Sequence, residues 1–237
     1  MKIATWNCHM AFRKKAGLIQ VHNLDILIVQ ECEHPGKLVF NPGVNQPTDI
    51  VWHGANRNKG LAVISYSGYQ LTLLDIHNPE IKTILPVLIT KQSKEYFLLA
   101  IWAFNAMDPS YKYVGQIWKA LDYYHELLKR ENVIIAGDFN SNVFWDKLKR
   151  RITHSMLVTR MTEMRIHSCY HFYNNIEQGK EIHPTYYMYR HKNKPYHIDY
   201  LFVSENLQSQ VEEVSVGSAE EWLPISDHCP LIITLCD

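Results

Sequence analysis

Ile134-Ile135-Ala136-Gly137-Asp138-Phe139-Asn140 is the stretch of this sequence that decides the fold. Its first three residues form a short continuous apolar run, which is typical of a strand buried on both faces. Gly137 then allows the backbone to turn sharply or to approach a neighbour closely. Asp138 and Asn140 lie two residues apart, so in an extended segment both side chains point to one side. Such a pair can orient a water and a phosphate oxygen, although an Asx-type turn that caps a strand has the same pattern.

Four other short polar clusters also lie where apolar, strand-like runs begin or end. A single cluster of this kind is equally explained by a polar strand end that faces solvent, but their shared placement favours one common site. Carboxylates and carboxamides with one histidine suit a divalent cation beside an acid–base group. Asp199 could orient the imidazole of His228, as in other Asp–His pairs. The clusters are Thr5-Trp6-Asn7, Gln30-Glu31, His197-Ile198-Asp199 and Ser226-Asp227-His228.

The composition describes a globular protein with no excess of either charge. Hydrophobic residues make up 46% of the 237 residues, which is ordinary for a chain with a substantial core. Lys+Arg and Asp+Glu both number 24, so the charge makes no argument for a non-specific hold on nucleic acid. Basic residues concentrate locally at Lys147–Arg151 and Arg190–Lys194.

Cysteine usage and hydropathy bear on the compartment. Five cysteines without paired spacing do not indicate a disulfide framework or a zinc site, so we expect a reducing, cytoplasmic setting. Met1–Thr5 begins directly with a strand pattern, without the apolar core of a signal peptide. No apolar run approaches the length of a membrane span, so we expect no membrane association.

The order of apolar runs predicts one mixed α/β domain over residues 1–237, with two packed sheets flanked by helices. Helices are predicted at Tyr111–Lys129, at Asp146–Thr153 and near Ser155–Met164. Two smaller α/β domains are the alternative, but they would divide the polar clusters between them. The predicted strands are Lys2–Trp6, Asp25–Val29, Gly60–Tyr66, Ile84–Thr90, Tyr96–Phe104, Asn132–Ala136, Thr185–Tyr189, Ile198–Val203, Val211–Val216 and Leu231–Leu235.

Taken in this order, and together with Lys59-Gly60-Leu61-Ala62-Val63, the clusters resemble the endonuclease/exonuclease/phosphatase superfamily of exonuclease III and deoxyribonuclease I-like enzymes. The resemblance implies a four-layer α/β sandwich, in which two mixed sheets pack face to face with helices outside. It also implies a phosphoric ester hydrolase that depends on Mg²⁺ or Mn²⁺, ions that prefer oxygen ligands.

The resemblance assigns roles to individual residues. Glu31 would be the main metal ligand, assisted by Asn7 and Asp227. Asp138 would activate the attacking water, which Asn140 orients. His228, oriented by Asp199, would contact the scissile phosphate. The remaining catalytic role falls on Asn105, which matches the position that donates a hydrogen bond to the phosphoryl oxygen.

Aromatic residues give the substrate prediction. By position, Tyr186, Tyr196 and Ile198 would line a sugar pocket like that of abasic-site endonucleases, although tyrosines are also common on half-buried strands. Trp102 stands where the family usually has Tyr or His near the phosphate, and its indole offers a donor but no useful acid. Two further departures are His9, in place of an acid, and His197, in place of a frequent arginine.

Three functions remain open at this point. The first is a nuclease or phosphodiesterase that acts as a monomer on nucleic acid, possessing features of an abasic-site endonuclease. The alternative is a phosphatase that acts on a small-molecule or lipid phosphate monoester. A non-catalytic binding module is disfavoured because the chain retains the complete set of proposed catalytic and metal-binding residues.

Overall fold

Two six-stranded mixed sheets form the centre of the protein, in a computed structural model that describes residues 1–104, 112–147 and 150–236. A separate two-stranded ribbon, β10–β11, lies beside them. The strands are β1 Lys2–Asn7, β2 Ile26–Cys32, β3 Asp49–Asn56, β4 Lys59–Ser65, β5 Gln70–Leu73, β6 Ile84–Lys91, β7 Lys94–Trp102, β8 Val133–Asp138, β9 Ile166–Ser168, β10 Tyr186–Tyr187, β11 Pro195–Tyr196, β12 Asp199–Ser204, β13 Val211–Val216 and β14 Leu231–Leu235.

The strand order of the first sheet is β13-β14-β1-β2-β4-β3, and that of the second is β5-β6-β7-β8-β12-β9. Each sheet has one parallel pair, β1 with β2 and β7 with β8, whereas its other neighbours are antiparallel. Consequently the carboxyl ends of β1, β2, β7 and β8 and the amino ends of β12 and β14 all face the same end of their sheets.

Three apolar cores separate four layers. Between the sheets, alternate residues such as Ile28 of β2 and Ile134 of β8 pack together. Ile135 turns to the outer face instead, beneath the helices α2 (Val114–Tyr123) and α3 (His154–Glu163). The opposite outer face is covered by α1 and by Trp222 of α6. This is the predicted four-layer α/β sandwich, so the fold prediction is confirmed. The helices are α1 Ala16–Gln20, α2 Val114–Tyr123, α3 His154–Glu163, α4 Cys169–Asn174, α5 Glu205–Gln208 and α6 Ala219–Trp222.

The predicted helix boundaries need correction. In the predicted helix Tyr111–Lys129, α2 covers only Val114–Tyr123 and a 3₁₀ turn follows at Leu127–Lys129. Tyr111 itself lies outside the described residues. The described part of Asp146–Thr153 is not helical, because the Asp146 carboxylate accepts hydrogen bonds from the amides of His154 and Ser155. α3 therefore begins only at His154, where the Thr153 hydroxyl caps the helix by accepting a hydrogen bond from the backbone amide of Met156.

Gly137 is required where β8 runs beside β7. A Cβ atom at this position would lie 1.9 Å from the carbonyl oxygen of Ile101, and the backbone φ of Gly137 is 150°. Any other residue would push the two parallel strands apart. The glycine therefore fixes where β8 ends and where Asp138 begins. Among the described residues, no helix combines the length and apolarity needed to cross a membrane.

Candidate active site

Four predicted site residues meet where the two sheets share an end. Asp199 of β12 is directly opposite Asp138 of β8 in the register of the second sheet. Asn7 of β1 pairs with Gln30 of β2 in the first sheet, which places Glu31 next to it. The side-chain amide of Asn7 donates a hydrogen bond to Asp138 Oδ2 at 3.1 Å and so joins the two sheets at this edge.

Asp138 is fully buried and is held through both carboxylate oxygens. The backbone amide of Asn140 donates to Oδ1 at 2.8 Å, and its side-chain amide donates to Oδ2 at 3.0 Å. Asn140 has a left-handed backbone, with a φ of 47°, which turns both donors back towards Asp138. Burial, and then the negative charge of Asp199, raise the pKa of Asp138, which shifts this carboxylate towards the range of a general base at neutral pH.

His228 and Asp199 form a buried pair. Nδ1 of His228 lies 2.9 Å from Oδ2 of Asp199, so the acidic partner assigns the proton to Nδ1. Burial lowers the pKa of His228, but the charge and hydrogen bond of Asp199 and the charge of Asp138 outweigh it, so the net pKa is raised. The hydroxyl of Thr185 accepts hydrogen bonds from the backbone amides of Ile198 and Asp199, both at 3.0 Å. Thr185 thus positions the start of β12 and the carboxylate on it.

The loop that carries His228 is fastened to β1. The hydroxyl of Ser226 donates to the carbonyl oxygen of Asn7 at 2.8 Å and accepts from the backbone amide of His228 at 3.0 Å. The indole of Trp6 donates to the carbonyl oxygen of His228 at 3.0 Å. These bonds bring the last motif of the sequence to the first.

Glu31 and Asp227 lie on the more exposed side of the site. Glu31 occupies a β-bulge, since Gln30 pairs with Leu61 and Cys32 with Gly60, and its φ is 63°. A bulge re-aims the side chain of the extra residue. The Glu31 carboxylate is 2.9 Å from the ammonium of Lys59. Asp227 makes a similar contact, at 3.1 Å, with Nδ1 of His9.

The donors near Glu31 fit a hard divalent cation. The carboxylates of Glu31 and Asp227 and the amide of Asn7 offer oxygen donors of the kind that such a cation prefers. Both carboxylates already face basic nitrogens of the protein. A second cluster, Asp138, Asp199 and His228, brings possible ligand atoms within 4.8 Å of one another. In this cluster Nδ1 of His228 already lies within hydrogen-bond distance of Asp199, which is the geometry of an Asp–His pair.

An aromatic wall flanks His228. The ring of Tyr186 lies 4.7 Å from the His228 ring and 6.3 Å from that of Tyr196, and Trp145 packs 4.7 Å from Tyr196. Burial, and then the charges of Asp227 and Asp138, raise the pKa of Tyr186 to about 12, so its hydroxyl stays protonated at neutral pH. Ile198, which was predicted to line the same pocket, is buried, with only 1% of the residue exposed.

Trp102 lies on the side of Asp138 that is opposite to Asp199. It pairs with Asp138 in the β7–β8 register, and the ammonium of Lys59 lies 5.1 Å from its ring centroid. Asn105, the remaining predicted catalytic residue, lies outside the described residues.

Sequence reasoning did not identify Lys59, Thr185 or Trp145 as part of the site. Lys59 and Thr185 belong to stretches that resemble the family, but their roles depend on contacts between strands that are distant in sequence. Trp145 follows the Gly137–Asn140 motif closely, and this closeness in sequence was the available signal. Gln30, which precedes Glu31, is likewise structural: its amide donates to Thr5 in its own sheet and to Ile101 in the other.

Comparison with known proteins identifies the class. The chain matches the Endonuclease/Exonuclease/phosphatase family over residues 4–228, and it belongs to that family. The predictions of the superfamily and of a phosphoric ester hydrolase are thereby confirmed. A comparison with curated protein sequences finds no match.

Several solved structures have the same fold. An AP endonuclease from Leishmania major aligns with a TM-score of 0.71 and 15% identity, covering 100% of this chain and 87% of that one. An AP endonuclease from Archaeoglobus fulgidus aligns with a TM-score of 0.70 and 18% identity, covering 100% of both chains. The 3' phosphatase NExo from Neisseria, bound to a product DNA hairpin, aligns with a TM-score of 0.69 and 19% identity, again over 100% of both chains.

Proposed function

We propose that this chain is a Mg²⁺- or Mn²⁺-dependent phosphodiesterase that hydrolyses phosphodiester bonds in nucleic acid. The observation that carries the proposal is the buried Asp138 beside the Asp199–His228 pair, at the same strand ends as the oxygen donors Glu31 and Asp227. The nucleic-acid substrate is supported by the aromatic wall next to His228, and by the DNA-directed activities named for the structural relatives.

The cation would be held by Glu31, Asn7 and Asp227. When bound, it supplies a Lewis acid that neutralises charge on the phosphate during in-line attack. The side chain of Asn7 is suited to this position, because its Nδ2 already donates to Asp138 and fixes the orientation of the amide.

Asp138 accepts the proton of the attacking water. Its Oδ2 receives two side-chain amide hydrogens, whereas its Oδ1 receives one backbone amide hydrogen. Each carboxylate oxygen has roughly two lone-pair positions, so Oδ1 has more acceptor capacity left for the water. Asn140 holds both oxygens and thereby fixes the direction from which the water attacks.

His228 donates to the phosphate. Because the Nδ1–H group donates its hydrogen bond to Asp199, the other ring nitrogen, Nε2, is the one available to the phosphate. A protonated imidazole stabilises the negative charge that develops on the phosphoryl oxygens. Asn105 is proposed to donate a second hydrogen bond to the same group.

Tyr186, Tyr196 and Ile198 are proposed to form the substrate pocket, with Trp102 close to the phosphate. Tyr196 packs against Trp145 and Tyr186 and is only half-buried, so the exposed part of its ring is available to a base or sugar. Burial of Ile198 suggests that it supports the pocket from behind. We also propose that one domain spans residues 1–237 and acts as a cytoplasmic monomer, in which the five cysteines remain free thiols.

The substrate assignment is tested with Tyr196→Ala. Binding of a nucleic-acid substrate should weaken by about 1–3 kcal/mol, the range for loss of a stacked base. Hydrolysis of bis(p-nitrophenyl) phosphate should change little, because the pocket contacts the remote part of the substrate. Tyr123→Ala, at a half-exposed tyrosine of α2, is the matched control.

A substrate panel tests the class of phosphate ester. Plasmid, abasic duplex, single-stranded RNA and inositol phosphates are each incubated with the protein and Mg²⁺. Cleavage of a nucleic acid that stops on chelation is the expected result. Good activity on a phosphomonoester with none on nucleic acid would favour the alternative, a phosphatase of small-molecule or lipid phosphates.

A further inference from the structure

We propose a second nucleotide-binding pocket on the Glu31 side of the site, which holds the nucleotide next to the scissile phosphate on the side away from Tyr186. This inference rests on the proposed nuclease function, and it adds a subsite and a path for the substrate strand. The pocket lies between the β3–β4 hairpin and the segment around Lys82 and Thr83, and Trp102 forms part of its wall.

The size and lining of the cavity suit a nucleotide. Its volume is about 450 Å³, within the usual range for small-ligand sites. Trp102 and Phe104 contribute two aromatic rings, with centroids 6.3 Å apart, against which a base can stack. Flat apolar rings alone would accept many ligands, so the polar groups of the cavity must define the chemical class of the ligand.

The charged groups of the cavity are basic. Lys59 and Lys82 both line it, and no acidic residue lines it among residues 1–104, 112–147 and 150–236. Within the described part of the chain, Lys82 has no ion-pair partner, whereas the ammonium of Lys59 contacts Glu31 and lies 5.1 Å from the Trp102 ring centroid. Two ammonium groups beside aromatic rings favour a ligand that combines a phosphate with a planar base.

Thr83 gives an independent indication of a ligand. Only 9% of this residue is exposed, and its hydroxyl has no hydrogen-bond partner among the described residues. A buried hydroxyl without a partner is costly, because it has lost its hydrogen bonds to water and has gained none in the protein. Thr83 also lines the cavity, and its carbonyl oxygen accepts the backbone amide of Trp102 at 2.9 Å. A sugar or phosphate oxygen in the pocket would satisfy this hydroxyl.

The position of the pocket indicates the path of the nucleic-acid strand through the site. Trp102 is opposite Asp138 in the sheet register, and Lys59 contacts Glu31. The pocket therefore adjoins both the proposed general base, Asp138, and the proposed metal ligand, Glu31. Tyr186 lies on the other side, against His228. A phosphate held between Glu31 and His228 therefore has an aromatic site on each side, one for each flanking nucleotide.

Thymidine 3′,5′-bisphosphate tests the pocket directly, by calorimetric titration into the intact chain. We expect Lys82→Ala to raise its Kd about 5- to 20-fold. Lys129→Ala is the matched control, since Lys129 is an exposed lysine just before β8, at the opposite end of that strand from Asp138, and its Kd should equal that of the wild type. The corresponding bisphosphate without a base should bind at least about fivefold more weakly than the nucleotide.

Thr83→Val separates a ligand contact from a structural one. Removing an unsatisfied hydroxyl should leave the melting temperature equal to or above that of the wild type, while Kd for the bisphosphate rises several-fold. A lowered melting temperature with unchanged Kd would show that the hydroxyl only stabilises the fold, and it would overturn the proposal.

The binding experiment is independent of the nuclease assignment. If the wild type hydrolyses no nucleic acid but the bisphosphate still binds through Lys82 and Thr83, the proposed function fails and the pocket stands. If nucleic acid is cleaved but Kd is the same in Lys82→Ala, Thr83→Val and the wild type, the pocket is wrong and the proposed function stands.

Discussion

Two halves of the candidate site differ in how their charged groups are held. The acid–base half, formed by Asp138, Asp199 and His228, is almost completely buried. Asn7 and Asn140 donate hydrogen bonds to Asp138, and the Thr185 hydroxyl accepts one from the backbone amide of Asp199. The cation half, formed by Glu31 and Asp227, is more exposed, with side-chain exposures of 16% and 20%, and it contacts the basic side chains Lys59 and His9.

This difference separates preorganisation from exchange. Groups that act on developing charge are most effective when the fold orients them before the substrate arrives. Carboxylates that bind a cation must first give up the contacts that they make with basic side chains in its absence. The acid–base half should therefore be sensitive to small changes of geometry, whereas the cation half should respond mainly to changes of charge.

The largest effect is expected from His228→Ala. Loss of the imidazole removes the donor to the phosphate and leaves Asp199 buried without its partner, so turnover should fall by roughly two to four orders of magnitude. Steady-state kinetics on the best substrate of the panel measures it. A fall of less than tenfold would show that His228 is not part of the chemistry.

A double-mutant cycle tests whether Asp199 acts through His228. Asp199→Asn keeps the shape of the side chain but removes the charge that orients the imidazole and raises its pKa. Turnover should therefore fall less than in His228→Ala. The double mutant should then resemble His228→Ala alone. Additive losses would contradict a functional pair and would reduce the acid–base half to independent groups.

The cation half is tested by Glu31→Gln. The substitution removes one charge at the ion but leaves an amide oxygen that can still bind it, so the loss should be smaller than the about 4 kcal/mol of a full ion pair at about 4 Å and an effective dielectric constant of 20. We expect Mn²⁺ affinity and activity to fall together, by roughly 10- to 100-fold, in calorimetry and in rate assays. Glu163→Gln on α3 is the surface control. Reduced activity with unchanged Mn²⁺ affinity would exclude Glu31 as a ligand.

The same contrast explains what the sequence could predict. Continuous apolar runs marked the central strands β1, β2, β7 and β8, because both of their faces are buried and every position must be apolar. The edge strands β3 and β5 were missed. Their residues are mostly half-buried or exposed, so polar side chains interrupt the apolar pattern. Element boundaries failed where side chains decide them, as at Asp146.

For the site, the sequence revealed the charged groups but not their partners. Asp138, Asp199 and His228 are recognisable because glycine, proline and strand ends surround them. The contact of Lys59 with Glu31 depends instead on a β-bulge in β2 and on the pairing of β2 with β4. Thr185 acts through backbone amides of another segment, which no local pattern of residues records.

A smaller effect concerns the support of the acid–base half by His154. This buried histidine contacts Ser141 at 2.6 Å and packs 5.1 Å from Tyr200, so it lies behind both Asn140 and Asp199. Burial lowers the pKa of His154 to about 4, although Asp146 and Glu181 oppose the shift. The unfolded chain binds this proton below a pH of about 6.5, whereas the folded chain binds it only near 4. Stability should therefore fall as pH decreases through that window.

Urea unfolding between pH 7.5 and 5 measures this contribution, which should reach the order of 1–2 kcal/mol at pH 5. In His154→Asn, whose amide can replace Nδ1 towards Ser141, that part of the pH dependence should disappear. His125→Asn removes a half-exposed histidine and should leave the pH dependence unchanged. An identical pH dependence in His154→Asn and the wild type would contradict the assignment.

The smallest expected effect has the opposite sign and comes from Lys59→Met. The ammonium of Lys59, 2.9 Å from Glu31, competes with a divalent cation for the same carboxylate. Methionine keeps the length and apolar contact beside Trp102 but removes the charge, so Mn²⁺ affinity without nucleic acid should rise by roughly two- to fivefold, a partly exposed ion pair being worth about 0.2–1 kcal/mol. Calorimetry at low ionic strength measures the change. Weaker Mn²⁺ binding would show that Lys59 positions Glu31, and the cation half would then be as preorganised as the acid–base half.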